Sequence, residues 1–387
     1  MAWIGTKRVA FLPVDRGQFN SEPVPPDWPQ QIEQRIYYWP DPLRGVDVSL
    51  RDYIYTTSQG RADIEGVVQD VFPLNRQDVP PDFLAPQFEQ QFRNEGFDAA
   101  ALVMLGGQGA GQASGLPGYW ARFVMAEGVG VWAMELTHAI AGYADLYTND
   151  RANDLNGFDN MDCACGTHPT AYTKVQLGWL DPSAIMVDTA TSAEFALHTL
   201  GLVQPPPAGR CTAVRIETSG NPLFVEARQR VDQYDGGNWW NKRLLGTNEV
   251  PVGISSEGVI IYELAGVEDP NAPPGETDPL IRLLTQTALS PGASFTSSSG
   301  VTVRVTAALA GGFAVSIDNP TAPSLVVPDL FQVSFKLALK QLRDLGLVPK
   351  PTSGPQNSWV KSQSPTAGTV VARGATVTMT LKTGPLQ

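Results

Sequence analysis

The chain has 387 residues, a formal charge of −12, 42% hydrophobic residues and 17% charged residues. That length accommodates two or three domains with sizeable cores, and the composition excludes a disordered chain. The acidic balance argues against nucleic acid and anionic membrane as main partners, and no run approaches the ~20 apolar residues that span a bilayer. The 37 Gly and 32 Pro point to many turns and much β-structure. Cys163, Cys165 and Cys211 are an odd number with two nearly adjacent, so no disulfide framework is expected. The N-terminus, MAWIGTKRVAFLPVDRGQF, lacks the small-residue cleavage site of a signal peptide. A removed leader, non-classical export and a cytoplasmic location all stay open.

Arg8–Val14 reads as a buried opening strand, followed by Pro-rich sequence over Pro23–Pro42. Val48–Tyr55 suggests a helix, Ala62–Val71 a strand and Phe88–Glu95 a second helix. Ala99–Leu105 is an apolar run ending in glycines. Strands mixed with helices ahead of a long buried helix indicate an α/β or α+β domain. The loop Gly106–Gly115 lacks the G-x-G-x-x-G spacing and reads as a mobile loop, not a nucleotide cradle.

Val129–Tyr147 has the periodicity of a buried helix. It carries Glu135 and His138 at the second and fifth positions of H-E-x-x-H, with Met134 at the first. Residues four apart share a helix face. Two imidazoles so placed bind one Zn²⁺, and the intervening Glu polarises the metal-bound water. A thioether suits Cu(I) better than Zn²⁺, and a core helix with one satisfied His is the competing account. Asp145, Asn149, Asp150, Asp154, Asn156, Asp159 and Asp162 crowd oxygen donors into one loop. They invite Ca²⁺ without meeting the EF-hand order, and a solvated loop is the alternative. Cys163, Cys165 and His168 are chemically competent ligands that also read as small core residues and a hydrogen-bonding His.

From Phe195 to Ile317 the pattern changes to short alternating strands separated by Gly, Pro, Asn and Asp. After the linker Asn319–Ser324, Ser334 suits a helix cap. Phe335, Ala338, Leu339, Leu342 and Leu345 form one helix stripe and Gly346 a C-terminal cap. Val377, Met379 and Leu381 alternate along a final strand, so the tail reads as a βαββ unit.

Several segments, in order, resemble the M6 family of metallopeptidases, the immune-inhibitor-A type. These are Ser49–Gly60, Met134–Tyr147, Phe158–Met161, Cys165–Trp179 and Leu223–Gln229. The resemblance spans residues 8–317 and implies a zincin-like metallopeptidase domain over 1–190 and a β-rich domain over 191–319. It gives Glu135 the general-base role, His138 and Glu226 zinc-ligand roles, and Met161 the methionine turn, with calcium as a further family feature. Met134 stands where the family has its first His. The interval from His138 to Asp145 is one residue longer than the family's, which makes Asp145 a structural cap. Glu226 alternatively pairs with Arg228 or Arg215.

Residues 320–387 resemble a PASTA domain, through Val327–Ser334, the helix to Leu347, Trp359–Gly368 and Arg373–Val377. This implies affinity for peptidoglycan or cell-wall fragments through residues 323–387, with Trp359 either a contact residue or a core aromatic. The fold expected is α+β, followed by a β-rich domain and the small tail module. The function expected is that of a degenerate metallopeptidase, weakly active or inactive. It would act as a binding or structural protein at the cell wall or outside the cell, as one component of a secreted particle. The alternative is an active zinc metalloendopeptidase on a peptide substrate, with Glu135 as base and an atypical metal site.

Overall fold

The computed structural model describes residues 2–38, 48–106, 112–113, 118–147, 155–218, 220–236, 253–265, 281–321, 324–355, 358–372 and 375–383. Of the glycine-rich loop, residues 107–111 and 114–115 lie outside the described residues. The first layer contains β1 (Gly5–Asp15), α1 (Trp28–Tyr37), α2 (Leu50–Thr57), β2 (Ala62–Val68), β3 (Phe72–Pro73), α3 (Ala85–Asn94), β4 (Ala99–Leu105), β5 (Gln112–Ala113) and β6 (Trp120–Val124). The sheet runs β2-β1-β4-β6-β5, with β3 beside the end of β1. Its pairings are parallel except for β5 against β6. Strands covered on both faces read as continuous apolar runs. Accordingly Val9, Phe11, Ala101 and Val103 enter one core with α1 and α2. Ala10, Leu12, Ala100 and Leu102 enter another with Phe92 of α3. Helix α1 lies inside the stretch read only as Pro-rich. Pro29 sits in its first turn, where a missing N–H costs nothing, and Ile32 and Ile36 are buried four residues apart.

Helix α4 (Val129–Ala141) follows, with eleven of its residues buried. It is apolar nearly all round because the sheet, α2 and the following loop enclose it. Trp132 stacks on Phe123 at 4.3 Å and on Phe11 at 5.9 Å between ring centroids. The helix ends at Gly142, whose φ of 66° is the left-handed cap a side chain would disfavour. Two short helices come next, α5 (Asn160–Cys163) and α6 (Ala171–Gln176). Gly130 is required by contact: a Cβ there would lie 2.2 Å from the Ala164 carbonyl oxygen and 2.5 Å from the Gly166 nitrogen.

The β-rich half comprises β7 (Ile185–Asp188), β8 (Ser192–His198), β9 (Arg210–Cys211), β10 (Ala213–Ile216), β11 (Leu223–Arg228), β12 (Gly258–Leu264), β13 (Ile281–Leu283), β14 (Ser294–Thr296), β15 (Thr302–Leu309) and β16 (Gly312–Asp318). They form two five-stranded sheets, β13-β12-β11-β10-β7 and β14-β15-β16-β8-β9. Val214, Val225 and Ile261 of the first meet Val303, Val315 and Ile317 of the second in one core. The opposite face of the first sheet sends Phe224, Ile260 and Tyr262 into the core that holds α4. Strand alternation therefore points Glu226 and Arg228 towards the helical half.

The tail contains β17 (Ser324–Val326), α7 (Phe335–Asp344), β18 (Val348–Lys350), β19 (Ser358–Ser364), β20 (Val370–Ala372) and β21 (Thr376–Thr383). It forms a two-stranded sheet, β17-β20, and a three-stranded one, β18-β21-β19. Phe335, Ala338 and Leu342 of α7 pack on Val360, Val377 and Met379 in a core of their own. The sequence pattern predicted the helix and β21 but not the β17–β20 ribbon, whose strands are too short to show a period.

The Gly130–Ala164 contact yields a stability prediction. Gly130→Ala should lower unfolding free energy by about 1–3 kcal/mol through overpacking, although alanine favours helix elsewhere. Denaturant midpoints check this, and an unchanged or raised midpoint would contradict the contact.

Candidate functional site

Glu135 and His138 lie on the same buried helix, 7% and 6% exposed. The His138 Nδ1–H donates to the Tyr143 carbonyl oxygen. That leaves Nε2 facing Asp145 Oδ1 at 3.0 Å. The Tyr143 hydroxyl shares a hydrogen bond of 3.1 Å with Thr173 Oγ1, which anchors the turn below the helix. Asp145 was expected as a cap. The cap is Gly142, whose left-handed turn folds the chain back so that Asp145 reaches the imidazole.

Burial alone would push the His138 pKa down, but the hydrogen bond and charge of Asp145, with Glu135, carry it up to about 9. Glu135 is raised to about 7, chiefly by burial; His138 opposes the rise and Asp145 adds to it. One Glu135 oxygen, Oε2, is buried without a hydrogen-bond partner. Glu127, which sequence reasoning missed, is electrostatically coupled to Glu135. It is buried, accepts from the Val124 N–H at 2.6 Å, and is raised to about 8, mainly by burial and secondarily by Glu135.

A zinc ion needs three protein donors in a tetrahedral catalytic site. Met134 is buried in the apolar core and supplies none suited to zinc. Glu226, the expected third ligand, is committed elsewhere. Its Oε2 accepts from the Ala171 N–H at 2.8 Å and the Tyr262 hydroxyl at 3.0 Å, and its Oε1 from Arg228 at 3.3 Å. His138 and Asp145 offer two donors, and among the described residues no three His, Cys, Asp or Glu side chains form a group able to hold a metal. The donor set does not fit zinc as arranged.

The thiolate alternative also changes. Cys163 and Cys165 are joined in a disulfide, and Cys211 is the free, buried cysteine. His168 belongs to a different group: Lys174 Nζ donates to its Nδ1 at 2.9 Å, and its Nε2–H donates to Asp232. Lys174 is fully buried, and burial first, then Arg228, brings it down to about 8. In the loop considered for calcium, Asn149, Asp150 and Asp154 lie outside the described residues. Asp159 accepts from the Met161 and Thr170 N–H groups and from Thr173 Oγ1, while Asp162 accepts from the Leu155 N–H.

Arg228 is the centre of the second group and is fully buried. It bonds Asp235 at 2.8 and 3.1 Å, Glu226 at 3.3 Å, and the carbonyls of Phe158 and His168. The signal for it was present as two charges, Glu226 and Arg228, on one face of an otherwise apolar strand. Its partners in residues 158–168 and 232–235 carry no such signal.

In the tail, Trp359 is 8% exposed, its ring under Lys382 Nζ at 5.4 Å, so it belongs to the module's interior edge. Phe331, Val326 and Val370 are exposed apolar side chains there.

Two outcomes follow from these charges. The His138 pKa is raised above its unfolded value, so its stabilisation is complete below about pH 6.5 and is lost as pH rises through about 9. Denaturant midpoints should fall across that window, each tenfold gain in proton affinity on folding being worth roughly 1.4 kcal/mol. Asp145→Asn should remove His138's share of the fall, leaving that of Glu127 and Glu135, whose raised proton affinities also cost stability as pH rises, and move the imidazole titration seen by NMR downwards. Separately, Arg228→Met should destabilise the protein by about 3–5 kcal/mol by stranding two buried carboxylates. Adding Glu226→Gln and Asp235→Asn should recover much of that loss.

Residues 325–383 match the PASTA domain family. No curated protein matches the chain. Among the described residues no helix is long and apolar enough to cross a membrane. The fold is thus a mixed α+β structure that ends in a PASTA domain.

Proposed function

We propose that this protein is a cell-wall-associated binding or structural protein built on a metallopeptidase-like scaffold that has lost its metal centre. The observation that carries the reading is the PASTA domain at residues 325–383, a domain type associated with peptidoglycan and cell-wall fragments. The scaffold reading is supported by a mainly parallel sheet with an antiparallel edge strand, backed by the helix that bears Glu135 and His138. The lost centre is supported by Met134 in the apolar core and by Glu226 in the Arg228 ion cluster. The protein then acts at the wall or outside the cell, where it holds wall fragments or a peptide segment without cutting them, as one component of a secreted assembly.

Purified peptidoglycan should co-sediment with the full chain and not with a variant ending at residue 321. Purified protein should carry well under one zinc per chain by mass spectrometry and leave unstructured peptides uncut. Stoichiometric zinc, with cleavage that Glu135→Ala abolishes, would instead establish the active metalloendopeptidase. Equal sedimentation of the two chains would remove the wall-binding role from the tail.

A further inference from the structure

The Cys163–Cys165 disulfide sits in the loop on which α4 docks. Its two Cα atoms are 5.0 Å apart and only one residue separates the cysteines. That residue, Ala164, is held at a φ of 51°, a left-handed conformation that an alanine adopts only when its surroundings impose it. The Ala164 carbonyl is the atom that presses on Gly130, in the first turn of α4. Asn160 ties the same loop to the same turn: its Nδ2 donates to the Gly130 carbonyl at 3.1 Å and its Oδ1 accepts from the Gly166 N–H at 2.7 Å. Cys163 is half-buried and Cys165 is buried, so approach is from the Cys163 side.

We propose that Cys163–Cys165 is a thiol–disulfide exchange site for low-molecular-weight thiols, and that its opening loosens the seat of α4. This goes beyond the wall-binding role and does not depend on it. A cross-link that serves stability closes a long loop, because the chain entropy it removes grows with loop length. One spanning a single residue removes little, and so folding resists its reduction weakly. What this bond does constrain is the conformation of Ala164 and, through it, the contact with Gly130.

In the exchange a thiolate attacks Cys163 Sγ, the Cys163–Cys165 bond breaks, and Cys165 leaves as a thiolate that takes up a proton. A second thiolate attacks the external sulfur of the mixed disulfide and releases Cys163, which is protonated in turn. Two external thiols are oxidised to one disulfide, and the protein takes up the two electrons and two protons. Ala164 is then free to return to right-handed backbone. The hydrogen bonds that open α4, from the Val131 and Trp132 N–H groups to the Gly128 carbonyl, lose the buttress beneath them.

The test treats the native full chain with reduced glutathione, then follows alkylation by mass spectrometry and amide exchange over residues 129–132. Expected are alkylation of Cys163 and Cys165 with Cys211 protected; in Cys165→Ser, where Cys163 is a free thiol, oxidised glutathione should leave one glutathione on Cys163 and release the other as reduced glutathione. Amide exchange in the first turn of α4 should rise about tenfold, the factor that so short a loop closure is worth. The double variant Cys163→Ser/Cys165→Ser should match the reduced protein. A disulfide that glutathione opens only in denaturant overturns the proposal. So does amide exchange that is equal in the oxidised and reduced wild type.

Discussion

A guanidinium buried out of water has to be surrounded by acceptors, and Arg228 meets that demand with four groups drawn from its own strand, residues 158–168 and the segment near Asp235. Asp235, Glu226 and the carbonyls of Phe158 and His168 all converge on it. The desolvation of such a charge costs several kcal/mol and is offset only when every partner is in place. The strand that carries Arg228, the loop after α4 and the segment near Asp235 are thereby ordered together. Once residues 158–168 are placed, Asn160 and Ala164 are placed as well, and with them the seat for Gly130. The position of α4 is thus a consequence of an ion cluster on the neighbouring sheet.

The chemistry around His138 follows from that position. A helix enclosed on all sides has no room for hydrated charge, so Glu135, Glu127 and His138 must share protons or pair. His138 pairs with Asp145 through a turn that the left-handed Gly142 permits, and Tyr143 supplies the acceptor that orients the ring. The carboxylates are left with raised affinities for protons, because burial penalises their charge more than His138 relieves Glu135, or the Val124 N–H, Arg122 and Arg35 relieve Glu127. Met134, one residue before Glu135, is buried in the apolar core.

The tail obeys simpler physics. One amphipathic helix, α7, lays Phe335, Ala338 and Leu342 on a small sheet, and the resulting core includes no residue before Leu325. Its βαββ order was readable for that reason, from local spacing and strand alternation, whereas its PASTA identity came from resemblance to the family, which the match over residues 325–383 bears out.

Much else was also local and so legible in the residues. The continuous apolar runs of β1 and β4 announced buried strands, and the periodicity of 129–147 announced a buried helix, which ends at Ala141 because Gly142 turns the chain out of it. Helix α1 lies in a stretch read only as Pro-rich, and Pro29 stands in its first turn, where proline fits. The long-range pairings were not legible. An odd cysteine count concealed the Cys163–Cys165 bond. Counting positions along the chain set Asp145 apart from His138, although a single glycine turn brings them together. Glu226 carried two readings, a ligand and a partner of Arg228, and spacing gave no preference. Sequence by itself determined which faces of the main strands and helices are apolar, because that pattern is local. Tertiary structure alone decided which buried charges meet, because the free energy of a buried charge depends on partners that arrive from distant parts of the chain.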